Sequence, residues 1–453
     1  MNEFIFRKYD IRGVVATDFT DDVVQNLGRA FGTYVVRGGG KTVAVSGDIR
    51  PTTPGLIDNL TKGLMETGIT VIDLGILPTP TNYYSMYELD VDGAVQITGS
   101  HNPPEFNGFK ISLNQKAFHS EQIQDLKELI DTADFEVGEG SVEKNDILPT
   151  YMDMLRSKIS LDRPLKVAID CGNAAGCITA PTIFKELGME VTELFCDVDG
   201  TFPNHHPDPT EDHNLIDLIA EVQKGGYDFG VAFDGDADRV VAVDEKGGII
   251  RADDLIAIFL PEIIKNEGDA IVFDVKCSQA LEDMIHRYGG TPVMWKTGHS
   301  LIKDKMRELN VNFAGEMSGH IFFADDFYGF DDAVYVALRL AQLISRGDKK
   351  LSEYTAEIPV YYSTPELRME CKDDIEKFEI AEKATAYFTQ KYDCITVDGV
   401  RIQFGDGWGL VRASNTQPVL VCRFEAQTQA RMEEIQDLVL GKLAEFGDVA
   451  IGV

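Results

Sequence analysis

The sequence predicts an α/β protein with three related α/β domains followed by a smaller α+β domain at the carboxyl end. Three observations carry that prediction: a triplicated strand–helix–strand pattern, a tail that lacks it, and a chain of 453 residues. At roughly 100–200 residues per domain, such a length calls for three or four domains.

The first copy runs from Thr42-Val43-Ala44-Val45-Ser46 through a helical stretch ending at Gly68 to Thr70-Val71-Ile72-Asp73-Leu74. The second runs from Lys166-Val167-Ala168-Ile169-Asp170 through Gly188 to Glu190-Val191-Thr192-Glu193-Leu194. The third runs from Ala270-Ile271-Val272-Phe273-Asp274 through Gly289-Gly290 to Pro292-Val293-Met294-Trp295. In each, a β-branched run, an amphipathic helix and a glycine stop lead into another apolar strand, the signature of parallel βαβ units. The tail instead offers strands near 367–370, 401–404 and 419–424 and a final helix from about Ala430, which reads as α+β. Turn signals near Asp146–Pro149 and Gly247–Ile250 place the expected domains at 1–148, 149–248, 249–358 and 359–453.

Composition excludes several classes. Forty-two basic against 75 acidic residues leave a formal charge of −33, which repels nucleic acid and anionic membranes. Seven cysteines without a CxxC pair read as reduced thiols in a cytoplasmic protein. The amino terminus has no apolar core with a cleavage site, and no apolar run approaches the ~18 residues needed to span a bilayer. The expected protein is soluble and, by default, a monomer.

Two short segments carry the chemistry. Thr98-Gly99-Ser100-His101-Asn102-Pro103 follows the apolar run 91–98. Gly99 allows a sharp exit and Pro103 biases Asn102 towards extended geometry. Ser100 and His101 are therefore expected on an exposed loop at a strand carboxyl end, where open α/β sheets bind ligands. Asp234-Gly235-Asp236-Ala237-Asp238-Arg239 follows the buried-strand pattern Phe229–Phe233. Three carboxylates at alternate positions suit a hard divalent cation. An EF-hand is excluded although Glu245 falls at the twelfth position, because Arg239 stands where glycine is required and strand-like Val240–Val243 follows. Magnesium fits better than calcium, since it commonly bridges a few carboxylates to a phosphate. A serine hydroxyl is a weak nucleophile until charge is arranged around it. Together the two segments point to a serine that carries a phosphoryl group beside a metal.

Four further segments are candidates. Arg412-Ala413-Ser414-Asn415-Thr416-Gln417-Pro418 offers an arginine fork, hydroxyls and turn N–H groups for an anion. Gly315-Glu316-Met317-Ser318-Gly319-His320 spaces Glu316, Ser318 and His320 by two, so an extended loop would turn all three to one side, with the glutamate suited to sugar hydroxyls. Lys296-Thr297-Gly298-His299-Ser300 places a titratable histidine after a strand. Arg7-Lys8-Tyr9-Asp10-Ile11-Arg12-Gly13 is a basic, aromatic entry segment.

In this order the segments resemble the α-D-phosphohexomutase superfamily over essentially the whole chain, in its bacterial phosphomannomutase/phosphoglucomutase branch. The strings that carry the resemblance are KYDIRG (Lys8 to Gly13), Ser100–Pro103 with Phe106-Asn107-Gly108-Phe109-Lys110, DGDADR, KTGHS, GEMSGH and RASNT. The resemblance implies four domains with mixed sheets around a central cleft, a mobile fourth closing over substrate. It implies that Ser100 is the phosphoserine, and that Asp234, Asp236 and Asp238 hold Mg2+ with a phosphoserine oxygen. Arg412, Ser414, Asn415 and Thr416 match the site for the non-reacting phosphate, and Glu316 and Ser318 the sugar-hydroxyl binders, with His320 in the same loop. Tyr9, Arg12, His101, Lys110, Arg239, Lys276 and His299 match residues around the substrate, Lys110 and His299 being the candidate general bases.

The implied reaction interconverts hexose 1-phosphate and hexose 6-phosphate, of mannose or glucose, through a hexose 1,6-bisphosphate that also serves as activator. Phosphoglucosamine mutase, a sugar-phosphate phosphatase and a non-catalytic sugar-phosphate binder are the rival readings. Two departures stand out: Gly99 where the family usually has alanine, and Ser46-Gly47-Asp48-Ile49-Arg50 where it usually reads Gly-Arg-Asp-x-Arg. Both are expected to alter support of the serine loop, Gly99 by loosening it.

Overall fold

A computed structural model describes residues 2–7, 10–414, 419–447 and 450–451. The chain divides into two compact units: Met1–Leu255 with Ser318–Thr355, and Ile256–Met317 with Ala356–Val453.

The first unit contains two mixed sheets. In one, Thr42–Gly47 lies between Thr70–Ile76 and Gly93–Ile97, all parallel. Thr42–Gly47 and Gly93–Ile97 are buried on both faces, as central parallel strands covered by helices require, whereas Thr70–Ile76 is only partly buried. Helix Asp21–Arg37 starts at Thr20, whose hydroxyl accepts from the Val23 amide. Its Val24, Leu27, Phe31 and Val35 face the same core as Leu56, Leu60 and Leu64 of helix Thr53–Met65. The sheet then turns antiparallel: Phe106–Leu113 pairs with Gly93–Ile97 and with Ile11–Val14. Ile11–Val14 is thus an edge strand, with Ile11 fully buried.

In the second sheet, Lys166–Asp170 pairs in parallel with Glu190–Leu194 and Phe229–Phe233. Val240–Asp244 returns antiparallel to Phe229–Phe233, which makes the acidic segment the turn of a hairpin. Both chemical segments leave the carboxyl ends of strands.

In the second unit, Ala270–Asp274 pairs in parallel with Thr291–Trp295 and Phe313–Gly315, as the third repeat predicts. The tail is an antiparallel sheet in which Leu367–Glu370, Val419–Ala426, Gly407–Ala413, Val400–Gln403 and Asp393–Ile395 follow one another. Helices Asp374–Phe388 and Gln429–Leu443 cover it through Ile380, Ala384, Phe388, Ile435, Val439 and Leu443.

Candidate active site

The serine loop and the acidic turn meet inside the first unit. The Ser100 hydroxyl donates to Asp234 Oδ2 at 2.9 Å, and Gly235 packs so tightly on the Ser100 carbonyl that a Cβ there would lie 2.1 Å from it. Ser100 is 1% exposed, not on an open loop as its sequence suggests. The difference comes from partners distant in sequence. The Ser100 amide donates to Thr98 Oγ1, and Thr98 and the Gly99 amide both donate to the buried Asp48. Ser100 itself adopts a left-handed φ of 49°, a conformation that surrounding contacts must enforce in a non-glycine residue.

Arg50 supplies most of that enforcement. Its guanidinium donates to the carbonyls of Ser100 (2.8 Å), Asn102 (2.5 Å), Pro103 (2.5 Å) and Phe106 (3.0 Å) and pairs with Asp48 at 3.1 Å. Gly99 is what admits it, since a Cβ on Gly99 would sit 2.5 Å from Arg50 Cζ. The expected loosening at Gly99 therefore gives way to a tightly pinned loop. At Gly47 a Cβ would meet Thr53 Cγ2 at 2.2 Å and the Ile97 carbonyl at 3.1 Å, so the missing arginine leaves no gap.

The three aspartates of the turn are completely buried, and one ligand oxygen from each lies within 4.8 Å of the others. Lys110 Nζ pairs with Asp236 at 2.7 Å and with Asp238, and Thr79 donates to Asp236. Oδ1 of Asp236 and Oδ1 of Asp238 accept no hydrogen bond. Burial and the neighbouring Asp238 and Asp236 push the Asp234 carboxyl well above the usual range. Burial acts the same way on Asp236, but Lys110 outweighs it and holds that group ionised. Orphaned buried oxygens and a carboxylate short of positive charge are the donor set of a hard cation, so the turn fits a metal.

Around this centre, Arg12 donates to Asn102 at 3.2 Å and pairs with Asp10 at 2.7 Å. His101 Nδ1 lies 3.2 Å from Ser100 Oγ, and burial together with the Arg239 and Arg12 cations drives its imidazole well below the ordinary histidine value. Lys110 is raised: burial opposes its charge, but Asp236 and Asp238 outweigh it. With no cation on the turn, Lys110 Nζ is paired with Asp236 and Asp238, contacts no linear reading supplies. Arg239 donates from Nε to His320 Nε2 at 2.9 Å.

Glu316, Ser318 and His320 do not share one extended side. Met317 and Ser318 form a turn, which breaks the alternation that spacing by two assumes. Glu316 belongs to the second unit, where its carboxylate accepts from the Gly298 amide at 2.5 Å, whereas Ser318 and His320 belong to the first. His299 begins helix His299–Leu309 in the second unit. There Lys276 pairs with Glu366 at 2.9 Å, and Asp398 accepts from Arg412 Nε at 2.9 Å and from the Thr297 amide at 3.3 Å. Ser414 is buried and its amide donates to the Val419 carbonyl at 3.0 Å. Tyr9, Asn415 and Thr416 lie outside the described residues.

Four family descriptions match the chain in order. "Phosphoglucomutase/phosphomannomutase, alpha/beta/alpha domain I" matches residues 3–137, domain II matches 149–248, domain III matches 251–362, and the C-terminal domain matches 366–442. The chain belongs to the phosphoglucomutase/phosphomannomutase family. A phosphomannomutase/phosphoglucomutase of Pseudomonas aeruginosa is 46% identical over 442 residues, covering 97% of this chain and 95% of the relative. A phosphoglucomutase of Neisseria gonorrhoeae is 42% identical over 438 residues, covering 96% and 95%. The crystal structure of a phosphoglucomutase/phosphomannomutase family protein from Burkholderia thailandensis superposes with a TM-score of 0.93 at 41% identity, covering 99% of each chain.

The chain is accordingly an enzyme, a hexose phosphate mutase of the α-D-phosphohexomutase superfamily. Sequence reading missed Asp48, Thr79, Asp331 and Asp398 and named Arg50 only as a remnant. A visible signal existed for two of them: Asp48 and Arg50 directly follow an apolar strand run, where loop polar residues meet the site.

Proposed function

We propose that the reaction runs as a phosphoryl relay through Ser100. Phosphorylated Ser100 donates its phosphoryl group to the free hydroxyl of mannose or glucose 1- or 6-phosphate. The P–O bond to Ser100 Oγ breaks, a P–O bond to the sugar oxygen forms, and the hydroxyl proton passes to a base. The resulting 1,6-bisphosphate turns over and returns its other phosphoryl group to Ser100. The observation that carries this reading is the hydrogen bond from Ser100 Oγ to Asp234 Oδ2, which sets the hydroxyl on the edge of a three-carboxylate cation site.

Asp234, Asp236 and Asp238 would hold magnesium, which supplies charge stabilisation to the transferring phosphoryl oxygens. Arg12, Lys110 and Arg239 are assigned the remaining negative charge, because preorganised cations in a dry site stabilise a loose transition state most. Lys110 and His299 are the candidate general bases that strip the attacking hydroxyl; a cation on Asp236 and Asp238 would free Lys110 Nζ from the carboxylates it pairs with. His101 and His320 flank the reacting serine and its cations. Lys276, Glu316, Ser318, Arg412, Ser414, Asn415 and Thr416 are assigned to the sugar and the non-reacting phosphate, and Tyr9 to the substrate's surroundings. We further infer four domains at 1–148, 149–248, 249–358 and 359–453, a cytoplasmic monomer, and hexose 1,6-bisphosphate as activator. Among the described residues no helix is long and apolar enough to cross a membrane.

The test incubates the protein with Mg2+, trace glucose 1,6-bisphosphate and the 1-phosphates of mannose, glucose and glucosamine. Mannose or glucose 6-phosphate should appear and should vanish in Ser100→Ala. Free phosphate without 6-phosphate would establish the phosphatase, and turnover of glucosamine 1-phosphate alone would establish the rival mutase.

A further inference from the structure

The guanidinium that pins the serine loop is itself closed in by the segment 195–204, which follows strand Glu190–Leu194. Phe202 is 8% exposed and its ring centroid lies 5.2 Å from Arg50 Cζ, near enough for a cation–π contact. Gly200 lies flat on the backbone beneath. A Cβ there would sit 2.4 Å from the Ile49 carbonyl and 3.0 Å from Arg50 Cα. The segment contains neither helix nor strand, and Phe195 and Phe202 both adopt a left-handed φ of 50°. Bulky side chains keep that conformation only under constraint.

Asn173 supplies much of the constraint. Its backbone amide donates to the Phe195 carbonyl at 2.7 Å, and its carbonyl accepts from the Asp199 amide at 2.9 Å. Its Nδ2 donates to the Asp197 carbonyl at 2.7 Å, and its Oδ1 accepts from Asn204 Nδ2 at 2.7 Å. All four polar groups of this buried residue thus grip one segment. Asn173 has a left-handed φ of 59°, a region asparagine enters more readily than most residues. The loop that bears it is anchored in turn, since the Ala175 amide donates to the Gly235 carbonyl of the acidic turn at 3.2 Å.

We propose that Asn173 is a positioning residue for Ser100: it clamps the segment 195–204 over Arg50 and so keeps the serine loop in one working conformation. Water admitted beside Arg50 would compete for the donors that serve the Ser100, Asn102, Pro103 and Phe106 carbonyls. Its exclusion strengthens those bonds. A displaced Ser100 Oγ would lose the alignment that transfer requires, and small misplacements of a reacting atom cost rate steeply. That the clamp serves phosphoryl transfer rests on the relay reading; the clamp itself does not.

Asn173→Asp keeps the size and the acceptor for Asn204 but sets an oxygen against the Asp197 carbonyl in place of a donor. In that variant of the full-length protein, hydrogen exchange read by mass spectrometry should quicken by about tenfold or more over peptides spanning 195–204 and 98–106. Exchange in helix Asp21–Arg37 should stay as in wild type. Mutase kcat should fall by about 10–100-fold, with KM for hexose 1-phosphate unchanged within about twofold. Phe202→Ala opens the same seal from its other end, should quicken 98–106 and lower kcat likewise, and decides alone if Asn173→Asp fails to fold. Unchanged exchange over 98–106 in either variant would overturn the proposal, as would faster exchange there with wild-type kcat. Exchange quickened equally in helix Asp21–Arg37 would mark general loss of stability and overturn it too. A wild-type protein without mutase activity would instead refute the relay, and the exchange results, which need no substrate, would still judge the clamp.

Discussion

Replacing Arg50 by lysine should unfasten the serine loop while leaving the sheet beneath it intact. The Arg50 fork serves five acceptors: the carbonyls of Ser100, Asn102, Pro103 and Phe106, and Asp48 Oδ2. A lysine ammonium has three donors. At least two buried acceptors then lose their partner, at about 1–3 kcal/mol each, so local stability drops by about 2–6 kcal/mol. At ~1.4 kcal/mol per tenfold change, the lower bound makes exchange of the loop amides at least about 30-fold faster.

Hydrogen exchange read by mass spectrometry over peptides spanning 98–106 measures this directly, and helix Asp21–Arg37 provides the internal control. Mutase kcat should fall with it, because the Arg50 bond to the Ser100 carbonyl is one of the contacts that hold the serine at its left-handed φ. Gly99→Ala is the complementary perturbation. Its Cβ would press on Arg50 Cζ at 2.5 Å, an overpacking worth about 1–3 kcal/mol. Loop exchange within a few-fold of wild type in Arg50→Lys would refute the reasoning, whatever the activity.

Two other outcomes follow from buried charges. Asp332 caps helix Ala333–Ser345 and accepts from Tyr151 at 2.7 Å, and burial raises its carboxyl to about 7. A raised carboxylate binds its proton more tightly folded than unfolded, so stability should fall as pH rises from about 4 to about 7, by about 4 kcal/mol in all. Thermal unfolding of Asp332→Asn across pH 5–8 should lack that component, and a pH profile parallel to wild type would count against it. Lys110→Gln removes the cation bound to Asp236 and Asp238. It should bind Mg2+ more tightly by calorimetry while losing most mutase activity; weaker binding would show that Lys110 supports the metal site and does not compete for it.

The fold was legible wherever a strand was continuously apolar. The runs 42–46, 166–170, 229–233 and 270–274 each form the strand expected of them. Gly407–Ala413 escaped because Gly407 and Gly409 dilute its β signal, although cross-strand partners on both sides carry it. The acidic turn announced itself through alternation alone. What the linear chain concealed was burial and charge pairing. An exposed Ser100 was the natural expectation from a Gly-Ser-His-Asn-Pro loop, but Arg50, Asp48, Asp234 and Gly235, all distant in sequence, close around it. That Lys110 pairs with two aspartates more than 120 residues away was equally hidden. The spacing of Glu316, Ser318 and His320 misled for a similar reason, because a turn redirects residues that alternation would align.

The shortage of positive charge at Ser100 leads to one last expectation. The exterior of the chain is strongly acidic, but solvent screens such charge beyond about 8–10 Å, so the balance beside Ser100 is set locally. Asp234 Oδ2 lies 2.9 Å from Ser100 Oγ. A phosphoryl group on that oxygen brings about −1.5 to −2 charges against the carboxylate. Two unit charges 4 Å apart repel by about 4 kcal/mol at an effective dielectric constant of 20. Phosphorylated Ser100 and a divalent cation on the aspartates should therefore stabilise each other, and linkage makes the effect reciprocal. Mg2+ titrated into the phosphorylated and the dephosphorylated protein should bind the phosphorylated form at least about tenfold more tightly, a coupling of about 1.4 kcal/mol. Equal Mg2+ affinities for the two forms would mean that the ion does not touch the phosphoryl group, and the charge argument for the relay would fail with it.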